Sequence, residues 1–153
     1  MAKLKIRTLG DEVLSQQCRP VEKITPRTLT LLDDMIETMR RADGCGLAAP
    51  QVGILRRIAV VEVNEGEVIE LINPEIIARE GEQEEAEGCL SIPGRFGITK
   101  RPQRVTVRAT DRNGNVFEVT GEDLLARALC HEIDHLDGHL FTERTIRMLD
   151  EED

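Results

Sequence analysis

One stretch near the C-terminus has a clear helical pattern, and the fold prediction starts from it: residues 120–138 read TGEDLLARALCHEIDHLDG. The spacing predicts a helix from about Glu122 to Leu136, with Gly138 as its stop. The four residues at 120–123 resemble a capping box ahead of that helix. Three leucines recur on one side and are expected to anchor the helix in a core: Leu125, Leu129 and Leu136.

Two histidines on this helix are placed to hold one metal ion. His131 and His135 are four residues apart, so their rings lie about 40° apart around the helix axis and about 6 Å apart along it. Glu132 lies about 100° round from His131, near enough to reach a water on the metal without being a ligand. The simplest alternative is two core histidines and a solvated glutamate. The chain has only three histidines, and this favours the metal interpretation.

A catalytic metal usually has three protein ligands and one open position, so a third ligand is needed. His139 follows the predicted helix stop and is therefore the weaker candidate. Cys89 is the better one, because a thiolate is a strong ligand and Gly88 lets the backbone come close. For the remaining cysteines we favour small buried apolar side chains over disulfides: Cys18, Cys45 and Cys130.

The rest of the chain is dominated by strand patterns. A first helix is expected over Pro26–Arg41 with Thr25 as its N-cap, followed by a glycine-rich turn at 44–51. Strand patterns cover residues 57–63, 68–72, 104–110 and 116–120, and the acidic stretch 80–87 is expected to be a charged edge strand. The pair Asn113-Gly114 predicts a hairpin. These elements predict one α+β domain over residues 1–153, in which antiparallel or mixed sheets pack around the central C-terminal helix.

Composition limits the partners. The chain has 29 acidic and 20 basic residues and a formal net charge of −9. This charge argues against a protein that binds the phosphate backbone of nucleic acids, because such proteins need a basic face. It still allows docking on a ribosome through a small local patch. No run approaches the roughly 18 apolar residues of a membrane span. Residues 1–7 show no apolar signal region, which predicts a cytoplasmic protein. The acidic run at 150–153 is expected to be a solvated tail.

Three separated segments resemble, in order and spacing, the motifs of the peptide deformylase family: residues 44–51 (GCGLAAPQ), 87–91 (EGCLS) and 131–135 (HEIDH). The histidine motif alone also marks zinc peptidases, whereas the three together are highly specific. The resemblance implies a hydrolase of protein biosynthesis. Its implied activity is removal of the formyl group from the N-terminal formylmethionine of nascent polypeptides, with release of formate.

The resemblance also assigns roles. Glu132 is expected to accept the proton of the attacking water and to deliver it to the leaving amine. Negative charge develops on the formyl oxygen, and the implied donors to it are the Leu90 backbone N–H and the Gln51 side-chain amide. Gly44 and Gly46 would offer backbone groups to an extended peptide.

Further residues are expected around this centre. Helix phase places Leu124 and Ala128 about 20° and 60° from His131, so they should share its face. With Cys45 they would bound a pocket for the methionine side chain. By resemblance, Glu87 pairs with Arg101 near the cysteine, although both charges could equally lie on the surface.

The ligand set suits one divalent ion. Affinity alone favours Zn²⁺ over Fe²⁺. The resemblance implies Fe²⁺ in cells, with Zn²⁺, Ni²⁺ or Co²⁺ as substitutes in a purified sample.

Two positions depart from the family pattern: Cys130 stands where Gln is common, and Cys45 where an aliphatic residue is usual. The chain also ends soon after Phe141, so we expect it to lack the full C-terminal helix of many members.

Two other functions are compatible with the metal motif. One is a small zinc-dependent peptidase, which would need a longer open cleft. The other is a non-catalytic metal-binding module, in which a fourth protein ligand would close the site and Glu132 would have no task.

Overall fold

The computed structural model of the chain describes residues 4–149, so the acidic run at 150–153 lies outside the described residues. It contains two α-helices and eight strands within that range. The helices are α1 (Pro26–Arg41) and α2 (Asp123–Leu136). The strands are β1 (Gly46–Ala48), β2 (Ile58–Val61), β3 (Ile69–Glu80), β4 (Gln83–Cys89), β5 (Ile92–Arg101), β6 (Arg104–Thr110), β7 (Val116–Glu122) and β8 (Thr145–Met148).

The strands form two antiparallel sheets. The larger has the order β1-β2-β3-β6-β7, and the smaller has the order β4-β5-β8. Strand β1 is therefore an edge of one sheet and β4 an edge of the other. The predicted α+β class with a C-terminal helix is confirmed. Within residues 4–149, neither helix is long and apolar enough to cross a membrane.

Helix α1 has the predicted bounds. Proline at its first position loses no hydrogen bond, because the first N–H groups of a helix have no partner within it. The Thr25 backbone N–H just before it donates to Thr28 Oγ1 at 3.1 Å. One face is fully buried against β1, β2 and the start of β3: Leu32, Met35 and Met39.

Helix α2 also forms as predicted, but its capping box does not. Its N-cap is Glu122, whereas Thr120 lies inside β7, where its hydroxyl is 2.9 Å from that of Thr106 on β6. Thr120 is therefore part of the β6–β7 strand pair and does not cap the helix. Gly138 has φ +84°, a left-handed conformation that suits glycine and ends the helix as predicted.

The apolar side of α2 forms the larger core with the five-stranded sheet. Leu129 and Leu136 are fully buried there, and Leu125 packs partly buried against the same cluster, as predicted. Opposite them lie Val105 and Val107 of β6, whose alternation predicted a buried strand face. With only 2% aromatic residues in the chain, this core is built from aliphatic side chains.

The strand predictions were uneven. Strand β6 has the predicted bounds, and the hairpin to β7 forms, with Asp111 Oδ1 accepting from the Asn113 N–H at 2.9 Å. The acidic stretch 80–87 is divided, because Glu80 ends β3 and the edge strand β4 begins only at Gln83. The glycine-rich turn prediction was partly wrong, because Gly46–Ala48 pairs with β2. Strand β5 was not predicted, because Pro93 and two glycines interrupt its alternation.

Candidate metal centre

Three side chains from two elements converge at the polar side of α2. The ligand atoms of Cys89, His131 and His135 all lie within 4.8 Å of one another, and Cys89 Sγ is 3.3 Å from His135 Nε2. Cys89 ends β4, while both histidines are on α2, so the folding of the small sheet onto the helix assembles the cluster. Among residues 4–149, no fourth potential ligand joins this group. Three protein ligands are typical of a catalytic metal site, which keeps one coordination position open.

The His131 ring is held in a defined orientation. Its Nδ1 is 2.8 Å from Glu87 Oε1, which leaves Nε2 to face the cluster. The buried Phe141 ring stacks on it with centroids 6.0 Å apart. Metal-binding histidines typically have such a carboxylate partner on the second nitrogen.

The electrostatics of this centre suit a cation. Burial alone would lower the pKa of His131, but the charges of Glu132, Cys89 and Glu87 outweigh it and raise that pKa well above its usual value. Burial and the neighbouring His131 charge lower the pKa of His135. The negative charges that favour a proton on His131 favour a metal cation in its place. The residues therefore fit a divalent ion.

Glu87 is the centre of a buried ion-pair network. Arg101 donates to it from Nη2 at 2.9 Å and from Nε at 3.1 Å, and Thr99 donates its hydroxyl to the same carboxylate. The other guanidinium nitrogen of Arg101 is 2.6 Å from Asp134 on α2. Burial alone would raise the pKa of Glu87, but the hydrogen bonds from His131 and Arg101 lower it to about 2. Glu87 is therefore ionised at neutral pH.

Glu132 is buried beside the histidines, and its Oε1 has no hydrogen-bond partner among the described residues. Its Oε2 lies against Gly46 so closely that a β-carbon there would overlap the carboxylate. Burial raises the pKa of Glu132 to about 7. A carboxylate with that pKa can both accept and release a proton near neutral pH.

Gln51 is fixed by both ends of its amide. Its Oε1 accepts from the Ala48 N–H at 2.9 Å, and its Nε2 donates to Ser91 Oγ at 3.1 Å and to Cys89 Sγ at 3.6 Å. The side chain is only 1% exposed. The amide N–H group is thus held beside the cysteine rather than free in solvent.

A cavity of about 410 Å³ opens onto this centre. It lies between the two sheet edges, with Gly46 of β1 on one side and Cys89 of β4 on the other. The predicted pocket residues all line it: Gly44, Cys45, Gly46, Leu124 and Ala128. Leu90 also lines it and packs against Gly44, where a β-carbon would come within 2.6 Å of Leu90 Cδ1.

Sequence reasoning missed several lining residues. Arg127 borders the cavity and is four residues before His131, so helix spacing could have found it. Arg95 and Phe96 lie on β5, which the sequence pattern did not reveal. Phe96 is 52% exposed at the cavity.

The other cysteines and the third histidine lie apart from the ligand cluster. Cys18 and Cys130 are buried as predicted, and burial raises the pKa of each thiol to about 11. The prediction was wrong for Cys45, which is exposed because it lies at the cavity mouth just after α1 ends. His139 is half-buried beside Glu143 and is not in the cluster.

Comparison with known proteins gives one family. The family described as polypeptide deformylase matches residues 3–151. A peptide deformylase of Caldanaerobacter subterraneus subsp. tengcongensis is 61% identical over 153 residues, which cover 100% of this chain and 96% of that protein. One from Acetivibrio thermocellus is 57% identical, again over 100% of this chain and 89% of that protein.

Solved structures agree in fold. A peptide deformylase from Legionella pneumophila matches with a TM-score of 0.91 at 47% identity, covering 94% of this chain and 86% of that one. A peptide deformylase from Synechococcus elongatus in complex with actinonin matches with a TM-score of 0.91 at 40% identity, covering 95% and 83%.

Proposed function

This chain belongs to the polypeptide deformylase family, whose members hydrolyse the N-formyl group from peptides, and we propose that a metal ion held by Cys89, His131 and His135 serves that reaction here. The enzyme is a metal-dependent hydrolase that acts on the N-terminal formylmethionine of nascent polypeptides and releases formate. The observation that carries the residue assignment is the convergence of these three ligands beside the buried Glu132.

The donor set suits a first-row divalent cation. Bound there, such an ion would supply Lewis-acid chemistry, lowering the pKa of a coordinated water toward neutral and polarising the formyl carbonyl. We propose Fe²⁺ as the ion used in cells, with Zn²⁺, Ni²⁺ or Co²⁺ able to replace it in a purified sample.

Glu132 moves the proton. With a pKa near 7 its carboxylate is available as a base at neutral pH, and its unpartnered Oε1 is free to receive the proton of the attacking water. The same oxygen then delivers that proton to the amine that leaves with the peptide. The water's second proton leaves the formic acid hydroxyl for the amine or the solvent, so the products at neutral pH are formate and a protonated N-terminus.

The tetrahedral intermediate carries negative charge on the former formyl oxygen. Gln51 Nε2 and the Leu90 backbone N–H are the donors we assign to it. Anchoring of Gln51 through Ala48 and Ser91 supports this, because a donor that is already oriented needs no reorganisation during the reaction.

The peptide is proposed to bind as an added strand. Strand β1 is a sheet edge, and Gly44 and Gly46 line the cavity with no side chain of their own over the backbone. The Gly44 N–H donates to the Met39 carbonyl at 3.0 Å, so its carbonyl is the group it can offer to a peptide. The methionine side chain then fits the wall formed by Cys45, Leu124 and Ala128. In this proposed pose the formyl group would point toward Glu132.

We further propose that the chain forms one domain over residues 1–153, works in the cytoplasm and meets its substrates at the ribosome. The family assignment supports this setting, because formylated chains are made there.

A formate-release assay with formyl-Met-Ala, under anaerobic conditions and with Fe²⁺ supplied, tests the assignment. Glu132→Gln is expected to keep the metal and to lose about 10²–10⁴-fold in kcat. Glu118→Gln, an exposed glutamate on β7, is the matched control and should be unchanged. Cys89→Ala should lose most of its metal by mass spectrometry. Full activity of Glu132→Gln, or internal cleavage of unformylated Met-Ala peptides, would contradict the proposal.

A further inference from the structure

A second cavity, of about 700 Å³, lies far from the metal centre, where α1 begins. Thr25 and Thr28 at the start of α1 line it, whereas Asp43 and Gly44, just past the end of α1, line the cavity at the metal centre. Helix α1 has 16 residues and is about 24 Å long, and the two cavities lie toward its opposite ends. The second cavity is therefore a separate site, and none of the proposed catalytic residues lines it.

The second cavity is strongly basic in an acidic protein. Its lining contains four cations and one carboxylate, Glu22: the cations are Arg19, Lys23, Arg27 and Arg56. Between residues 4 and 149, none of the four makes an ion pair or a side-chain hydrogen bond. Most other arginines do pair, as Arg40 does with Glu62 and Arg112 with Glu70. The chain has 29 acidic residues, yet four cations that lack such partners among the described residues are gathered around one cavity.

The backbone holds two of these arginines side by side. Arg19 and Arg56 are paired in an isolated parallel bridge, in which the Arg19 N–H donates to the Leu55 carbonyl at 3.2 Å and the Arg57 N–H donates to the Arg19 carbonyl at 2.9 Å. Like charges on neighbouring strands repel. An anion bound between the two guanidinium groups would offset that repulsion, and guanidinium groups match phosphate geometry well.

The cavity is pre-formed rather than a gap under a loose loop. Asn73 clamps the segment that forms one wall, accepting from the Val21 N–H at 2.8 Å and donating to the Val21 carbonyl at 2.8 Å. Ile58 is buried in the cavity floor, and Leu31 and Ile54 extend the apolar lining. The site thus combines an apolar floor with a cationic rim, and its volume is within the 300–1,000 Å³ typical of small-molecule sites.

We propose that this cavity binds a phosphate-bearing organic anion of the nucleoside polyphosphate class. The cationic rim would hold the phosphates, and the apolar floor would take the base and ribose. A single inorganic phosphate would engage only part of the rim and none of the floor. The proposal goes beyond the deformylase activity and does not depend on which residues carry that activity.

The test is isothermal titration calorimetry of the metal-loaded enzyme with ATP, tripolyphosphate and adenosine at about 0.15 M ionic strength, where surface charges are screened. We expect ATP to bind more tightly than tripolyphosphate and adenosine to bind weakly. Arg19→Gln/Arg56→Gln should weaken ATP binding at least tenfold. The matched control is Arg104→Gln/Arg108→Gln, two exposed arginines on β6 with the same loss of charge, and it should bind ATP like the parent.

Formate release should be the same in all these proteins, so failure of the ATP site and failure of the catalytic assignment are distinguishable. Three results would overturn the proposal: no ATP binding at millimolar concentration, equal weakening in both double variants, or binding of a short single-stranded RNA but not of ATP. The last would identify the cavity as a polyanion surface instead.

Discussion

The two sides of helix α2 bury very different groups. Its apolar side packs Leu129, Ile133 and Leu136 against the five-stranded sheet. Its other side packs His131 and Asp134 against Glu87 and Arg101, the charged pair carried by β4 and β5 of the three-stranded sheet. One helix thus has an apolar interface on one side and a buried ionic interface on the other.

The difference separates what stabilises the fold from what positions the site. Apolar burial contributes free energy roughly in proportion to the area removed from water, so it depends on volume and tolerates changes of identity. A buried ion pair repays its desolvation cost only while both partners are present. Substitutions that keep the side-chain volume should therefore change the free energy of unfolding little on the apolar side. Substitutions that remove one charge should change it strongly on the ionic side.

The largest effect is expected on the ionic side. Arg101→Met removes the buried guanidinium that pairs with both Glu87 and Asp134 and should cost about 3–5 kcal/mol in the free energy of unfolding, measured by urea denaturation. Adding Glu87→Gln to the same chain should recover part of that loss, because the remaining buried charge is removed. If the double variant is no more stable than Arg101→Met alone, uncompensated charge is not the cause.

The apolar side should show the opposite sensitivity. Leu129→Ala leaves a cavity in the fully buried core and should cost about 3 kcal/mol. Leu129→Met keeps the volume and should cost less than about 1.5 kcal/mol. Urea denaturation measures both free energies of unfolding. Equal losses of stability for Leu129→Ala and Leu129→Met would contradict the expectation that the apolar side depends mainly on volume.

Glu87→Gln tests whether the ionic side of α2 contributes to metal affinity. The change keeps a hydrogen-bond acceptor for His131 but removes the charge, and we expect metal affinity to fall about 10–100-fold in competition with a chelator. Glu85→Gln, an exposed glutamate on the same strand, is the control. Unchanged affinity for Glu87→Gln would limit the network to a structural role.

The smallest effect is expected where the same kinds of charge meet water. Arg108 on β6 and Glu118 on β7 pair at 3.2 Å with both side chains about half exposed. Arg108→Ala should therefore change the free energy of unfolding by less than about 1 kcal/mol and leave formate release unchanged. A loss comparable to that of Arg101→Met would show that burial does not set the strength of these pairs.

Local signals predicted part of this architecture well. Helix α1 and strand β6 have their predicted bounds, because caps, proline position and hydrophobic period all act over a few residues. Strand β5 was missed because Pro93 and Gly94 interrupt its alternation. They fall at an irregularity in the pairing with β4, between Ile92 and Phe96, while later residues of the strand pair with β4 and β8. The cap of α2 was misassigned because pairing between β6 and β7 uses Thr120.

The candidate site divides in the same way. Helical spacing placed His131, Glu132 and His135 together without any knowledge of the fold, and the same spacing would have found Arg127 at the cavity. The sequence offered Cys89 only as the best remaining ligand. The stacking of Phe141 on His131 had no sequence signal at all.

The helices, the hairpin and the closeness of the two histidines on α2 follow from local sequence, because each depends on the fixed geometry of one short segment. Which distant groups join the histidines depends on how the sheets pack against the helix. Cys89 and Glu87 reach the histidines, and Arg19 reaches Arg56, through contacts between segments far apart in the chain. Such contacts depend on how sheets and helices pack, and no local period encodes that packing.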